Sequence, residues 1–299
     1  MQINGTKIVD TFAEAFNMYG TRIVVTAEND KWAKIAAQES TGFATSIIEC
    51  GIEAGIERKL SPEETLDGRP GYSLLFFTMK KDNLQKELRK RIGQTIMTAA
   101  TTACFNGLET EEKIKVGGNI RYFGDGYQIS KLYDDRRFWR IPIMGGEFLI
   151  EESFGIKKGI GGGNIIIAAE DQSSALSAAE KAVSAMRKIE GVAMPFPGGV
   201  VSSGSKVESK YSFLNAATNT AFCPTIKAQV ESKLPENTAS VLEIVIDGLS
   251  VDAVAEAMKV GVKAAAVPGV IEITAGNYGG DLGSENLYLH DILRGDLDE

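Results

Sequence analysis

The sequence predicts an α+β protein of two related lobes, each a sheet covered on one face by helices, with an inserted β-rich hairpin region. Three observations predict it. β-branched runs alternate with amphipathic helical stretches in both halves of the chain. The order of elements in residues 1–150 returns, without the same residues, in residues 151–299, about 140 positions later. Between the two patterns, residues 119–156 turn aromatic and β-rich. With 299 residues, 43% of them hydrophobic and 24% charged, the chain has the composition of a globular protein able to bury a large core.

In the first half, Asp10 is placed to cap a short helix in which Phe12 and Phe16 share a face at i, i+4. Arg22-Ile23-Val24-Val25-Thr26-Ala27 is a β-branched strand, and Asn29 or Asp30 caps a helix carrying Trp32, Ile35 and Ala36. Ser46-Ile47-Ile48-Glu49-Cys50 then closes a βαβ unit. Residues 51–71, rich in Gly, Pro and acids, read as a loop leaving the core. Residues 72–79 form the next strand, Asp82 with Gln85 resembles a capping box, and Leu84, Leu88, Ile92, Ile96 and Ala99 line one long helix. One more strand would complete a ferredoxin-like β-α-β-β-α-β module, and the sequence does not place it.

In the insertion, Arg137-Phe138-Trp139-Arg140-Ile141-Pro142-Ile143-Met144 and Glu147-Phe148-Leu149-Ile150-Glu151 flank Gly145-Gly146, a two-residue hairpin signal. Pro142 assigns the first arm to an edge or a bulge. After the glycine run 159–163 the first pattern resumes. Residues 164–168 form a strand, Asp171 caps a helix with Leu176, Ala179, Val183 and Met186 on one face, and Gly191 ends it before a strand at 192–196. Residues 241–246 are a strand, Ser250 caps a helix with Val251, Val254, Met258, Val262 and Ala265 on one face, and residues 270–275 close the sheet.

Several function classes are excluded by counting. A formal charge of -8 with no dense basic run argues against general nucleic-acid binding. No apolar run approaches the ~18 residues of a membrane span, and Met1-Gln2-Ile3-Asn4-Gly5 has neither the basic region nor the apolar core of a secretory signal, so the cytoplasm is expected. Cys50, Cys104 and Cys223 are odd in number and far apart, which reads as buried free thiols rather than a disulfide framework or zinc site. With His290 the only histidine, a multi-His metal site within one chain is impossible. Chemistry therefore falls to carboxylates, hydroxyls, lysines or backbone amides.

The loop 195–206 combines Pro195 and Pro197, which fix φ, with Gly198, Gly199 and Gly204, and then offers Ser202, Ser203, Ser205 and Lys206 as donors. It suits a tight strand connection or a ligand cradle equally well. Two further bare loops, 43–55 and 275–283, leave strands in comparable places. None fits G-x-G-x-x-G before a helix or G-x-x-x-x-G-K-[ST], which argues against those kinds of nucleotide binding. Glu243 is a lone carboxylate in Val241-Leu242-Glu243-Ile244-Val245-Ile246; buried on a central strand it would have a raised pKa and serve as a general acid, and on a half-buried strand it would face solvent. Ser202 and Ser203 lack the G-x-S-x-G elbow and read as ligand donors rather than nucleophiles. Lys206 and Lys210 can meet an anion or simply be solvated. Tyr122-Phe123-Gly124-Asp125-Gly126-Tyr127 is either a pair of aromatic walls for a flat heterocycle or a D-G turn with its own aromatics. His290, alternating with apolar residues, reads as a structural strand histidine.

Taken together, these segments resemble formylmethanofuran:tetrahydromethanopterin formyltransferases. The segments are Asp10-Thr11-Phe12-Ala13-Glu14-Ala15-Phe16, Thr41-Gly42-Phe43, Asp67-Gly68-Arg69-Pro70-Gly71, Phe123-Gly124-Asp125-Gly126-Tyr127-Gln128, residues 195–206, Thr218-Asn219, Cys223-Pro224-Thr225, Glu243-Ile244-Val245-Ile246, residues 275–280 and Leu289-His290-Asp291. They are collinear over nearly the whole chain. The resemblance implies a two-lobed fold and a homo-oligomer, usually a tetramer, with its substrate cleft near subunit contacts. It implies transfer of a formyl group from methanofuran to N5 of tetrahydromethanopterin, with no metal, tightly bound cofactor or covalent acyl-enzyme; the two carriers are substrates. It assigns Glu243 as the acid that protonates the leaving amine. Ser202 and Ser203, with backbone N–H groups of their loop, become the candidate oxyanion donors. Pro197, Gly198, Gly199, Ser205, Lys206, Lys210, Arg69, Phe123, Asp125, Tyr127, Asn277 and Tyr278 become candidate substrate contacts. A subunit of a bacterial formyltransferase/hydrolase complex and a non-catalytic pterin-binding protein are the alternatives.

Overall fold

A computed structural model of the chain describes residues 1–295, so residues 296–299, the end of the expected second lobe, lie outside the described residues. The protein is mixed α+β, with long mixed sheets and helices. Compactness divides it otherwise than the linear halves 1–150 and 151–299. One unit comprises residues 17–160 and 247–250, and the other comprises residues 1–16, 161–246 and 251–299.

The first of these units is built on the strand Phe12–Thr26, from residue 17 onward. It pairs antiparallel with Gly71–Thr78 on one side and Ala103–Asn106 on the other, and Gly71–Thr78 pairs in turn with Ile52–Leu60. Helices Asp30–Thr41 and Lys81–Arg91 complete the module. In chain order it runs β-α-β-β-α-β, and its strands lie side by side as fourth, first, third, second. Ala103–Asn106 is the strand the sequence does not place: it has only four residues, all buried, too few to show an alternation. It also pairs in parallel with Gly146–Glu151, whose hairpin partner Arg136–Ile143 carries Ile129–Tyr133 at the edge. Pro142 lies beyond the residues paired with that edge strand, so its missing N–H breaks no bond there.

Several local expectations are corrected here. The residues around Phe12 and Phe16 are strand, because i and i+4 share a face at period two as well as near period 3.6. Ile47–Cys50 is one turn of helix ended by Gly51 at φ 75°, and the strand expected there is Ile52–Leu60, within the stretch expected to be loop. Its acids misled: Glu57 is buried and paired bidentately with Arg22, at 2.6 and 2.7 Å, while Ser73 donates to it at 2.5 Å. The long helix is Lys81–Arg91 followed by a π turn at Ile92–Ile96, and Lys80 at its N-cap supplies no side-chain cap. Gln85 instead donates to the Lys115 carbonyl at 3.2 Å.

The chain from residue 157 onward, most of it in the second unit, repeats the same order. Strand Lys157–Ala169, helix Gln172–Met186, short strand Val192–Ala193, strand Ser240–Gly248, helix Val251–Ala265 and strand Val270–Thr274 again lie as fourth, first, third, second. Asp171 caps the first helix as expected, accepting from the Ser174 N–H at 2.8 Å. The glycine run is not a preceding loop; it belongs to the strand. A Cβ on Gly163 would lie 2.3 Å from Val254, so the glycine lets helix Val251–Ala265 approach the sheet. The strand expected at 192–196 stops at Ala193, because the prolines that follow donate no N–H to a ladder. His290 sits in helix Leu289–Arg294 rather than a strand, its Nε2 at 3.0 Å from the Ile8 carbonyl, in a structural role.

Candidate functional site

Glu243 lies on strand Ser240–Gly248, and the glycine- and serine-rich loop is hydrogen-bonded directly onto it. The Val201 N–H donates to the Glu243 carbonyl at 2.7 Å, and the Glu243 N–H donates to the Val201 carbonyl at 3.0 Å. This isolated bridge fixes Ser202 and Ser203 next to the acid. Together they line a cavity of about 140 Å³ whose other walls include Gly204, Asn219, Phe222 and Cys223. Desolvation in this cavity pushes the Glu243 carboxyl up to about 7. A group poised there is neutral often enough near neutrality to donate a proton, and its conjugate base can take one back.

The remainder of the 195–206 loop is organised by its own backbone. Pro197–Gly199 is a 3₁₀ turn with Gly198 and Gly199 at φ 67° and 90°. Gly199 is also buried, where a Cβ would press on Val183 at 3.0 Å. Ser205–Val207 pairs antiparallel with Ala216–Thr218, which places Ser205 opposite Thr218 and leaves Lys206 and Lys210 exposed.

The third glycine loop meets the same acid electrostatically. Tyr278 is 45% exposed, so the partial desolvation that raises its phenol, ahead of the negative charges of Glu243 and Glu14, acts on a side chain at the surface. Its ring is tilted against Phe16 at 6.2 Å between centroids. Asn277 donates to Thr11 Oγ1 and to the Phe12 carbonyl, both at 3.2 Å, so its side chain serves the loop's own anchorage. The loop closes around Glu14, whose carboxylate accepts from the N–H groups of Tyr278 at 2.6 Å, Gly280 at 2.9 Å, Leu282 at 2.7 Å and Gly283 at 2.5 Å. Burial alone would raise this carboxyl, but the four donors outweigh it and hold the group below its ordinary value. Asn164 secures the base of the loop, accepting from the Gly276 N–H at 2.6 Å and donating to its carbonyl at 3.0 Å.

The other expected contacts lie in the compact unit of residues 17–160, and neither they nor Pro197, Gly198, Gly199, Ser205, Lys206, Lys210, Asn277 and Tyr278 line the Glu243 cavity. Arg69 is engaged locally, with Nε on Asp67 at 2.8 Å, Nη1 on the Thr101 carbonyl at 2.6 Å and Nη2 on Thr26 at 3.1 Å. Phe123 and Tyr127 are exposed, and Phe123 borders a separate apolar hollow with Met97, Ile143 and Met144. Asp125 is the left-handed cap of a 3₁₀ turn, φ 52°, rather than the corner of a hairpin. Sequence reasoning missed Asn219 and Phe222 as cavity walls and read Cys223 as a buried thiol. Cys223 is half-buried at the cavity, its Sγ 3.3 Å from Thr218 Oγ1 and from the Asn219 carbonyl. Glu14 was the larger miss; its signal, a lone carboxylate in an apolar strand, is the one that singled out Glu243.

A carboxyl tuned close to neutrality, facing hydroxyls and a glycine-bared backbone in a small cavity, defines a site for acid-assisted group transfer. The chain belongs to the formylmethanofuran-tetrahydromethanopterin formyltransferase family: that family matches residues 1–143, and the family of its proximal lobe matches residues 146–292. It is 56% identical to a formylmethanofuran–tetrahydromethanopterin formyltransferase of Methylococcus capsulatus, over 98% of this chain and all of that protein. Two solved structures share its fold at 49% identity. One is the formylmethanofuran:tetrahydromethanopterin formyltransferase of Methanosarcina barkeri, with a TM-score of 0.93 over 98% of this chain and 100% of that one. The other belongs to the formyltransferase/hydrolase complex of Methylorubrum extorquens in complex with methylofuran, with a TM-score of 0.95 over 98% of both chains.

Proposed function

We propose that this chain transfers a formyl group from formylmethanofuran to N5 of tetrahydromethanopterin, in either direction. The observation that carries the reading is the bridge between Val201 and Glu243, which binds a donor-rich loop to a carboxyl of pKa about 7. Attack of N5 on the formyl carbon forms the new C–N bond and puts negative charge on the formyl oxygen. Ser202, Ser203 and the N–H groups of their loop are the donors for that oxyanion. As the intermediate collapses, the bond to the methanofuran nitrogen breaks, its electron pair goes to that nitrogen, and Glu243 supplies the proton. The proton lost by N5 restores the acid, so the cycle closes without net proton consumption by the protein. Pro197, Gly198 and Gly199 shape the loop, Ser205, Lys206 and Lys210 lie on its outer arm, and Asn277 and Tyr278 stand on the neighbouring loop as substrate contacts. Arg69, Phe123, Asp125 and Tyr127 are assigned to substrate only through the family resemblance.

In this reading residues 1–150 and 151–299 are two related ferredoxin-like lobes, the first carrying the insertion at 119–156; the repeated fourth-first-third-second strand order supports it. The carriers are substrates and nothing is tightly bound, the assembly is a homotetramer in the cytoplasm, and neither nucleic acid nor membrane is a partner. No helix among the described residues is long and apolar enough to cross a membrane. A second reading, as the formyltransferase subunit of a larger complex, is favoured by the 49% identity to a chain of the Methylorubrum formyltransferase/hydrolase complex. Copurification with hydrolase subunits supports that reading, and a homo-oligomer active alone supports the first. The decisive test mixes the purified protein with formylmethanofuran and tetrahydromethanopterin and follows formyl-pterin absorbance. Absence of turnover would leave a pterin-binding protein without catalysis.

A further inference from the structure

Asn219 lines the Glu243 cavity, and its backbone is held from both sides. Its N–H donates to the Gly204 carbonyl at 3.4 Å, one step beyond the Ser205–Thr218 pair of the hairpin. Its carbonyl accepts from the Phe222 N–H at 2.9 Å and from the Cys223 thiol at 3.3 Å. Asn219 is thereby fixed against the loop that carries Ser202 and Ser203. It immediately precedes the 3₁₀ turn Thr220–Phe222, a position where an asparagine side chain ordinarily accepts from a backbone N–H of the turn. Here it makes no such bond, and among the described residues its carboxamide has no partner in the protein. The cavity's other side-chain donors are less suited to a reacting atom: Ser202, Ser203 and Thr225 are exposed, and the Cys223 thiol donates to the Asn219 carbonyl. Asn219 is half-buried, and its NH₂ group offers two donors. An oxyanion gains most from a donor that is fixed in advance and shielded from water.

We propose that Asn219 is a catalytic residue whose carboxamide N–H donates to the formyl oxygen as that oxygen becomes an anion. The proposal rests on the formyl-transfer reading above. Attack of N5 puts negative charge on the formyl oxygen, and Asn219 meets that charge from the cavity wall it shares with Glu243. The two side chains divide the work: the carboxamide keeps its protons and bears the charge, while the carboxyl gives its proton to the leaving nitrogen. Because the hydrogen bond strengthens only as the charge develops, it lowers the barrier without tightening the binding of either carrier.

The test is steady-state kinetics on the full chain with both carriers. Asn219→Ala removes the NH₂ group without breaking a hydrogen bond among the described residues, so its melting temperature is expected to hold. Its kcat and kcat/KM are expected to fall together, about 10²- to 10³-fold, at unchanged KM. The apparent pKa of its pH–rate profile is expected to stay at the wild-type value, whereas a residue that acted only by orienting the Glu243 carboxyl would move it. Asn219→Asp keeps the shape but turns the donor into a charged acceptor, and is expected to lose at least as much; it also serves if the Ala variant does not fold. Asn219→Gln carries the same donors one methylene further out and is expected to recover part of the loss. Wild-type kcat in Asn219→Ala or Asn219→Asp overturns the proposal, as does a loss in Asn219→Ala confined to KM or accompanied by a shifted profile. A wild-type protein that transfers no formyl group overturns the functional reading instead, and that result is read before any variant is compared.

Discussion

Glu14 and Glu243 are the same kind of residue in the same kind of place, a strand carboxylate with apolar neighbours on either side, Ala13 and Ala15 for one and Leu242 and Ile244 for the other, in one compact unit. Their states are opposite. Glu14 exposes less surface to solvent, yet four backbone N–H groups converge on it and it stays ionised. At Glu243 desolvation is the dominant influence, and the carboxyl rises to about 7. Burial therefore does not decide ionisation by itself; the number of donors aimed at the carboxylate does. The backbone supplies the distinction, because the glycine-rich loop turns the N–H groups of Tyr278, Gly280, Leu282 and Gly283 toward Glu14, whereas at Glu243 the adjacent backbone is spent on the bridge to Val201. One acid is made a fixed structural charge and the other a proton donor.

The largest expected effect lies in the second member of the pair. Glu243→Gln keeps the volume and the strand but cannot give up a proton, and turnover is expected to fall by at least ~10²-fold with folding and assembly retained. Steady-state assays with both carriers check this, and undiminished turnover removes Glu243 from the mechanism. In the wild type, kcat for formyl transfer to the pterin is expected to decline as pH rises through about 7, where the acid deprotonates. A pH–rate profile flat from about pH 6 to about pH 8.5 would break the contrast between the two glutamates.

The raised pKa of Glu243 also has a cost in stability. A carboxyl raised from 4.5 to about 7 binds a proton in the folded protein that the unfolded chain has released, so stability is fully present below about pH 4.5 and is lost as pH rises through about 7. The loss amounts to about 3 kcal/mol at most by pH 8, because each pH unit between the unfolded and folded values is worth about 1.4 kcal/mol. Glu243→Gln removes that dependence, so the less active variant is expected to be the more stable one in denaturant melts at about pH 8. Equal stability of the two proteins there would mean that the carboxyl is better solvated than its place on the cavity wall implies.

Glu243 was legible in the sequence because it interrupts a six-residue apolar run, and the loop 195–206 was legible because its glycines and prolines are rare in combination. That the two touch was not legible: Val201 and Glu243 are brought opposite each other by a pairing that no local pattern records. Glu14 escaped because the Phe12/Phe16 spacing fits a helix, and on a helix a glutamate beside alanines is unremarkable surface. Once those residues are a strand, Ala13 and Ala15 are buried on one face and Glu14 lies on the opposite one, where it accepts from the glycine loop. Ile52–Leu60 escaped for another reason: its stretch is rich in Gly, Pro and acids, and the buried Glu57 disguised a strand as a loop. The β-α-β-β-α-β order was readable in the second half and, short of its last strand, in the first, where Ala103–Asn106 leaves too few residues for a period to show.

The glycine frame around Glu14 offers a smaller, purely steric test. A Cβ on Gly283 would lie 2.6 Å from both the Ala15 carbonyl oxygen and Glu14 Cγ, so neither a rotamer change nor a small tilt accommodates it. Gly283→Ala is expected to destabilise the protein by about 1–3 kcal/mol, the usual range for overpacking, and to loosen the N–H contact to Glu14. Gly279→Ala, with nothing within 4 Å of the added carbon, meets only the cost of its φ of 96°. A melt in which Gly279→Ala is the more damaging would show that backbone conformation, and not close approach, constrains this loop.

The smallest effect expected near neutrality is the titration of Glu14 itself. Its folded pKa lies below the ordinary 4.5, so its contribution is present above the unfolded value and is lost only as pH falls through the folded one. The stability difference between wild type and Glu14→Gln is therefore expected to be flat between about pH 6 and 8 and to shrink only in acid, below about pH 4.5. Across the first of those intervals the difference between wild type and Glu243→Gln is expected to change continuously. Two isosteric substitutions at two strand glutamates thus have stability profiles of opposite slope in different pH ranges. A Glu14 difference that already declines at about pH 7 would mean that the four N–H donors do not hold the carboxylate ionised, and the two acids would then differ in position but not in kind.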